Sequence, residues 1–133
     1  MATMVRGAES VLTDAVRSFL TATPPRYAVI AVAGASGIPH QNVVWYLLRQ
    51  DERGDVFILN SRRGRYWPTS LEREGMASLA IHDGEEAVAI RCELVDLYGG
   101  EPSRVDAEEL ARRYDPPERA NLRIRRFRTV GPL

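Results

Sequence analysis

The sequence predicts a mainly β fold, in which six antiparallel strands form a small barrel with a few short helices packed at its ends. Short runs of β-branched and aromatic residues recur along the chain, and most are separated by turns of a few residues, as between antiparallel neighbours. The chain has 133 residues, of which 44% are hydrophobic, and this suffices for one domain but not for two. We therefore expect residues 1–133 to form a single domain.

The first elements are a helix and two strands. Apolar residues recur at helical spacing over residues 11–20, and two prolines follow soon after, which predicts an amphipathic helix that ends before them. Residues 27–33 have the small and β-branched side chains of a strand. A glycine-containing turn at residues 34–37 leads into a second strand over residues 41–48, so we predict a hairpin.

The second predicted strand is apolar on both faces. Its two alternating sets of side chains are Val43, Trp45 and Leu47 on one face, and Val44, Tyr46 and Leu48 on the other. An antiparallel strand covered on both sides needs something beyond its own core. This pattern predicts that a second subunit or a ring-shaped ligand covers the strand.

The middle of the chain predicts a strand, a short helix and another strand. A polar turn precedes the apolar run at residues 56–59, which has the length of a buried strand. A short helix at residues 69–74 has Leu71 as its buried anchor, and we expect it to stop at Gly75. A strand then resumes at residues 76–81.

The last elements are two strands and a helix. A long alternating strand starts at Val88 and ends near Gly99. Asp106, followed three residues later by a glutamate, resembles a capping box and predicts a helix from there to Tyr114. Residues 120–130 alternate again and predict the sixth strand.

Composition excludes several kinds of chemistry. Acidic and basic residues number 18 each, so the formal net charge is zero, which argues against a nucleic-acid binder driven by overall charge. Every basic residue is an arginine, so a Schiff-base lysine and a Walker-type lysine are excluded. Cys92 is the only cysteine, so no intrachain disulfide forms, and we expect an inert core residue. His40 and His82 are too far apart in sequence to suggest a metal site.

Nothing in the sequence indicates export or a membrane. The first ten residues lack the apolar core of a signal peptide, and no apolar stretch approaches membrane-spanning length. We therefore expect a cytoplasmic protein.

An arginine-rich run, which we call the arginine loop, predicts an anion site. Its residues are Asn60, Ser61, Arg62, Arg63, Gly64, Arg65, Tyr66, Trp67 and Pro68. Free backbone N–H groups, a helix dipole and guanidinium groups meet where a strand gives way to a helix, and all three favour a phosphate or carboxylate. The alternative is a solvated turn with ion pairs to Glu72 and Glu74.

Three segments of the chain together resemble a known family. Residues 37–46, 61–79 and 88–96 are similar to the split-barrel flavin-binding proteins of the pyridoxamine 5′-phosphate oxidase type, and most similar to the branch that uses the deazaflavin coenzyme F-420. The resemblance covers roughly residues 12–130 in order. It implies an FMN-binding type of split barrel, which assembles as a homodimer with two cofactor sites at the subunit interface.

The resemblance also implies which residues bind the cofactor, either coenzyme F-420 or FMN. The strand residues that would lie along the ring are His40, Gln41, Asn42, Val43 and Val44. The loop that would hold the phosphate consists of Ser61, Arg62, Arg63, Gly64 and Arg65, and the further cofactor-binding candidates are Asn60 and Trp67. Trp67 stands where many members of that family have a lysine, so it would stack on the ring or partly close the site. The alternative for Trp67 is packing in the core or at an interface.

The implied activity is hydride transfer to a small unsaturated, quinone or nitro compound. His40, Tyr46 and Tyr66 are the candidate proton donors, and solvent is the alternative. A second hypothesis is a carrier of flavin, F-420 or haem without turnover. A third is a nucleic-acid-binding barrel that uses the arginines of the last strand, but zero net charge and few aromatic residues weigh against it. We expect no nucleic acid, metal or membrane as partner.

Overall fold

The computed structural model of the chain describes residues 1–7, 12–61 and 65–114. Within these ranges the elements are β1 (Ala2–Gly7), α1 (Asp14–Thr21), β2 (Ala28–Ala33), β3 (Pro39–Val44), β4 (Leu47–Asp51), β5 (Gly54–Asn60), α2 (Tyr66–Glu74), β6 (Met76–His82), β7 (Ala87–Tyr98) and α3 (Gly100–Tyr114). The mainly β class predicted from the sequence is confirmed.

The strands form one antiparallel sheet in the order β3-β2-β6-β7-β1-β5-β4. β3 and β4 are its two edges, although only Trp45 and Tyr46 separate them in the chain. An extended chain advances at most about 3.6 Å per residue, so the sheet must curl until its edges approach each other at this corner. Among the described strands no ladder joins β3 to β4, so the sheet is open.

The strand pattern differs from the prediction in three ways. β1 carries no clear strand signal, yet it pairs with both β5 and β7. The single strand predicted at residues 41–48 is divided into β3 and β4. The strand predicted at residues 120–130 lies outside the described residues, as does Val11 at the start of the first predicted helix. The described strands therefore form a seven-stranded open sheet and not a closed six-stranded barrel.

The main core lies on one face of the sheet. β2, β5 and β6 each contribute alternate residues to it, as their period of two requires. α1 adds Leu20, while α2 adds Trp67 and Leu71. α2 stops at Gly75, whose φ of 73° is the left-handed conformation that favours glycine, so the predicted helix end is confirmed.

A second core lies between the opposite face of β5 and α3. Its buried residues are Leu47, Val56, Ile58, Leu110 and Tyr114. β5 is therefore covered on both faces. The capping box predicted at Asp106 is wrong, because α3 begins six residues earlier, at Gly100. The Asp106 carboxylate instead accepts hydrogen bonds from Arg49, at 2.6 Å, and from the hydroxyl of Tyr98.

The corner between β3 and β4 divides its apolar residues between the two cores. Val44 and Tyr46 belong to the main core, whereas Leu47 and the partly buried Trp45 belong to the second. Val43 is 40% exposed. Most apolar side chains on both faces of this segment are therefore buried within one chain. Val43 is the exposed one that an outside partner could still cover.

The other face of β3, β2, β6 and β7, opposite the main core, is called the uncovered face here. Aligned cross-strand positions on it are Val43, Val29, Ala80 and Ala89, and beside them Gln41, Ala31, Ser78 and Arg91. Trp67 and Leu71 of α2 belong to the main core, and α3 packs on β5 and β1, so the face is uncovered by the described helices α2 and α3. No described helix is long and apolar enough to cross a membrane.

Candidate functional site

Two segments that are distant in sequence meet at the start of α2. The rings of His40, on β3, and Tyr66, the first residue of α2, lie 4.5 Å apart between centroids, with an angle of 59° between their planes. The backbone N–H of Ala35, in the β2–β3 turn, donates a hydrogen bond of 2.9 Å to the Tyr66 hydroxyl oxygen. The strand and the loop that the sequence assigns to one site are therefore in contact.

α2 directs one face toward the β2–β3 turn. Tyr66, Ser70 and Arg73 stand at i, i+4 and i+7, which places them on that one face. The Arg73 guanidinium donates to the Ala33 carbonyl oxygen at 3.1 Å. The sequence interpretation missed Ser70 and Arg73 as site residues, although their helical spacing from Tyr66 was a signal that could have found them.

The pKa of Tyr66 lies below the ordinary value of a tyrosine. The largest cause is the hydrogen bond from the Ala35 N–H, which stabilises the phenolate, and Ser70 and the positive charge of Arg73 act in the same direction. Partial burial opposes them but does not prevail. A tyrosine that ionises more readily than usual is the better proton donor near neutral pH.

His40 is held in place by its own strand. The amide nitrogen of Asn42 lies 2.7 Å from the imidazole Nε2 of His40, and because an amide NH₂ only donates, Nε2 is the acceptor. Both residues lie on the main-core side of β3, as does the buried Val44. Gln41 and Val43 point to the uncovered face, so the predicted strand residues divide between two faces.

The arginine loop is described only at its two ends. Arg62, Arg63 and Gly64 lie outside the described residues. Asn60 is exposed, and the backbone of Ser61 is fixed by a hydrogen bond of 3.1 Å from its N–H to the Met1 carbonyl. Neither loop end pairs with Glu74, which instead binds Arg73 at 3.0 Å.

Both described ends of the loop carry polar groups. The hydroxyl of Ser61 is buried without a hydrogen-bond partner among the described residues, and so is that of Thr3. Since Ala2 pairs with Asn60, Thr3 and Ser61 are diagonal neighbours on one face of the sheet. At the other end, the exposed Arg65 does not cap the first turn of α2 with its side chain. Orphaned donors at a helix N-terminus suit an anion.

Two predicted site residues are buried away from any ligand. The Trp67 side chain packs in the main core with 3% of its surface exposed. Tyr46 is fully buried, and its hydroxyl donates a hydrogen bond of 2.7 Å to the Leu20 carbonyl. Burial raises the pKa of Tyr46. In this structure the indole of Trp67 is not exposed for stacking on a cofactor ring. The hydroxyl proton of Tyr46 is already donated in a hydrogen bond to the Leu20 carbonyl.

The described residues contain no cluster of three or more histidine, cysteine or acidic side chains that could hold a metal ion. Cys92 is buried, as expected, and desolvation raises its pKa to about 12, so the thiolate that reacts or binds metal is strongly disfavoured. His82 ends β6 as an exposed residue.

We expect Gly34→Ala to disturb the site, because a Cβ at Gly34 would lie 2.3 Å from the carbonyl oxygen of Ile38. The turn must move to relieve this clash, and the Ala35 N–H that holds Tyr66 moves with it. Urea unfolding should show a loss of about 1–3 kcal/mol. Gly99→Ala is the matched control, since nothing lies within 4 Å of a Cβ there. Equal stability of the two variants would contradict the prediction.

Comparison of the chain with protein-family models, with curated proteins and with solved structures found no match. The resemblance of residues 37–46, 61–79 and 88–96 to the split-barrel proteins therefore stays a prediction.

Proposed function

We propose that this chain is an oxidoreductase that binds a deazaflavin of the coenzyme F-420 type, with FMN as the second choice of cofactor. The observation that carries the proposal is the contact between His40 and Tyr66. It joins the strand that the resemblance assigns to the cofactor ring with the residue that directly follows the loop assigned to its phosphate. The acceptor would be a small unsaturated, quinone or nitro compound.

The phosphate end of the proposed site is supported by unused polar groups. Within the described part of the chain, the buried Ser61 hydroxyl has no hydrogen-bond partner, and the Arg65 side chain does not cap α2. Arg65 is exposed next to both. A phosphate would satisfy the hydroxyl, the first-turn N–H groups and the guanidinium together. These residues fit an anionic cofactor, although none of them discriminates between F-420 and FMN.

The ring end of the proposed site would lie along β3. As an edge strand, β3 has a backbone edge that no described strand pairs with. A planar ring placed along that edge could meet His40 and Asn42 from one face and Gln41 and Val43 from the other. When bound in its reduced form, a deazaflavin supplies a hydride, and the protein contributes binding, orientation and protons.

The proposal includes a homodimer that pairs through the uncovered face. This face presents small side chains such as Ala80 and Ala89, together with Val43 at 40% exposure. A second copy of the same sheet face would cover these residues by an isologous contact. Sedimentation of the purified chain tests this directly, because a monomer at micromolar concentration would contradict it.

A cofactor titration tests the proposed function. Purified protein is titrated with FMN and, separately, with coenzyme F-420, while tryptophan fluorescence is recorded. Trp67 follows Tyr66 directly, so binding at the start of α2 should change its emission. Saturable binding of either cofactor supports the proposal and identifies the preferred one. Failure of both to saturate would overturn it.

We expect Arg65→Ala to weaken cofactor binding by about 10- to 100-fold, which corresponds to losing one charge-assisted hydrogen bond to phosphate. Arg53→Ala removes the same charge from the exposed β4–β5 turn and serves as the matched control. An equal loss in both variants would mean that overall charge, and not a contact at the loop, determines affinity. Unchanged cofactor affinity of Arg65→Ala would indicate that the loop is a solvated turn and not a phosphate site.

A carrier without turnover is the second candidate, and the burial of Trp67 favours it. This residue replaces the lysine of many relatives, and its packing in the core removes it from any role in holding phosphate. The two functions are separated by a single-turnover experiment, in which reduced cofactor bound to the protein is mixed with menadione. An enzyme accelerates the oxidation of the cofactor over the rate in solution, and a carrier does not.

A further inference from the structure

We propose that the hydroxyl of Tyr66 is the proton donor of this site, and that it protonates the oxygen of a carbonyl, quinone or nitro acceptor bound beside His40. This inference rests on the oxidoreductase function proposed above and names the residue that supplies its proton.

The hydroxyl oxygen of Tyr66 is held in position by hydrogen-bond donors. It accepts a hydrogen bond of 2.9 Å from the Ala35 N–H. The side chains of Ser70 and Arg73 also form hydrogen bonds with it that lower its pKa. Because a hydroxyl both donates and accepts, Ser70 is also the nearby acceptor that the oxygen of a bound ligand would replace. Tyr66 is 39% exposed.

The neighbours of Tyr66 stabilise the phenolate that remains after donation. The Ala35 N–H, Ser70 and Arg73 all lower its pKa, and Arg73 is the cation that interacts with it. His40 is the other titratable side chain in contact, with its ring 4.5 Å away between centroids. An N–H donor and a nearby cation are also the groups that would stabilise negative charge on an acceptor oxygen.

The two other candidate donors are less suited. The Tyr46 hydroxyl is buried and donates to the Leu20 carbonyl. The Nε2 atom of His40 accepts from the amide of Asn42, so the neutral ring could donate only from Nδ1 while that bond persists. Of the two candidate tyrosines, Tyr66 alone is exposed.

A reduced deazaflavin would supply the two electrons that the proposed reduction of the acceptor needs. For an enone, a hydride from the reduced cofactor would add to the β-carbon, and the carbonyl oxygen would take the proton from Tyr66 as the enol forms. The acceptor would gain the two electrons that the cofactor loses, and the Tyr66 phenolate would regain a proton from solvent. The enol then becomes the ketone without further help from the protein.

The first test needs no cofactor. The alkaline ultraviolet absorbance change of phenolate formation is recorded for the full chain and for Tyr66→Phe. The difference between the two curves should be one tyrosine that titrates below the ordinary value of about 10. Titration at or above 10 would overturn the proposal, because the Ala35 and Arg73 contacts would then not stabilise the phenolate.

The second test uses the loaded protein. We expect Tyr66→Phe to bind cofactor as tightly as the parent chain but to reduce single-turnover oxidation by an enone about 100-fold, the low end for loss of a general acid. The parent rate should fall as pH rises through the Tyr66 pKa, and the variant rate should not. Tyr98→Phe, which loses a hydroxyl bound to Asp106 outside the site, is the control.

The outcomes separate the two proposals. If cofactor binds and turns over but Tyr66→Phe matches the parent within twofold across pH, the proton-donor inference is wrong and the oxidoreductase proposal stands. If the parent chain binds neither cofactor, the oxidoreductase proposal fails, and the donor role fails with it.

Discussion

Arg113→Ala is expected to lower the free energy of unfolding by about 3–4 kcal/mol. The guanidinium of Arg113, near the end of α3, donates to the Leu20 carbonyl at 2.8 Å and also to the Tyr46 carbonyl. It lies over the ring of Tyr46, 4.5 Å from the centroid, and 5.2 Å from that of Tyr114. One side chain thus connects α3, the end of α1 and the corner between β3 and β4. Its removal leaves two carbonyls without this donor.

Urea unfolding of two further variants checks the reason for this loss. Arg112→Ala removes the same charge from the exposed neighbouring position and should leave stability nearly unchanged. Arg113→Lys keeps the charge but lacks the planar fork, so we expect an intermediate loss. If Arg112→Ala and Arg113→Ala lose the same amount of stability, the effect comes from the charge or the helix and not from the contacts of Arg113 at the corner between β3 and β4.

This corner also explains where the sequence was insufficient. Residues 43–48 are apolar without interruption, so the local pattern of residues 41–48 predicts one strand. Tyr46 breaks that strand because its backbone N–H and carbonyl bind the side chains of Tyr114 and Arg113, and its hydroxyl binds Leu20. Two of these partners lie 68 and 67 residues away in the chain, and a local pattern cannot reveal them.

The start of α3 shows the same limitation for polar residues. Asp106 and Glu109 have the spacing of a capping box, which is a local interaction between side chains and backbone. Here both carboxylates bind Arg49 of β4, and the helix runs through them. Where the signal was local, as at the glycine that ends α2, the prediction was confirmed.

The candidate site was predictable in its parts but not in its assembly. The sequence identified His40 and Tyr66 separately, and their contact depends on how β3 and α2 pack. The Ala35 N–H had no signal at all, since a backbone donor acquires a role only through the close turn that Gly34 permits. The helical spacing of Tyr66, Ser70 and Arg73 was the signal in the sequence that the prediction of the site did not use.

Asp55→Asn should destabilise the protein at neutral pH by about 2–3 kcal/mol, because Asp55 forms a two-point ion pair that is shielded from solvent. Arg17, on α1, donates from Nε to one carboxylate oxygen at 3.0 Å and from Nη2 to the other at 2.9 Å. The Asp55 side chain is only 6% exposed. An asparagine accepts at one of these points and places an NH₂ group against the guanidinium at the other.

The loss of stability in Asp55→Asn should depend on pH, and the pKa of Asp55 determines the direction of this dependence. The hydrogen bond from Arg17 is the largest cause of a lowered Asp55 pKa in the folded protein, and a further bond from Gln50 adds to it. A lowered folded pKa contributes stability that is complete above the unfolded value of about 3.9 and is lost as pH falls through the folded pKa. The difference between Asp55→Asn and the parent chain in urea unfolding should therefore be constant near neutral pH and shrink below about pH 4. Asp14→Asn alters the fully exposed second partner of Arg17 and should not produce the loss at neutral pH. A difference that persists unchanged into strong acid would mean that Asp55 contributes through packing and not through its charge.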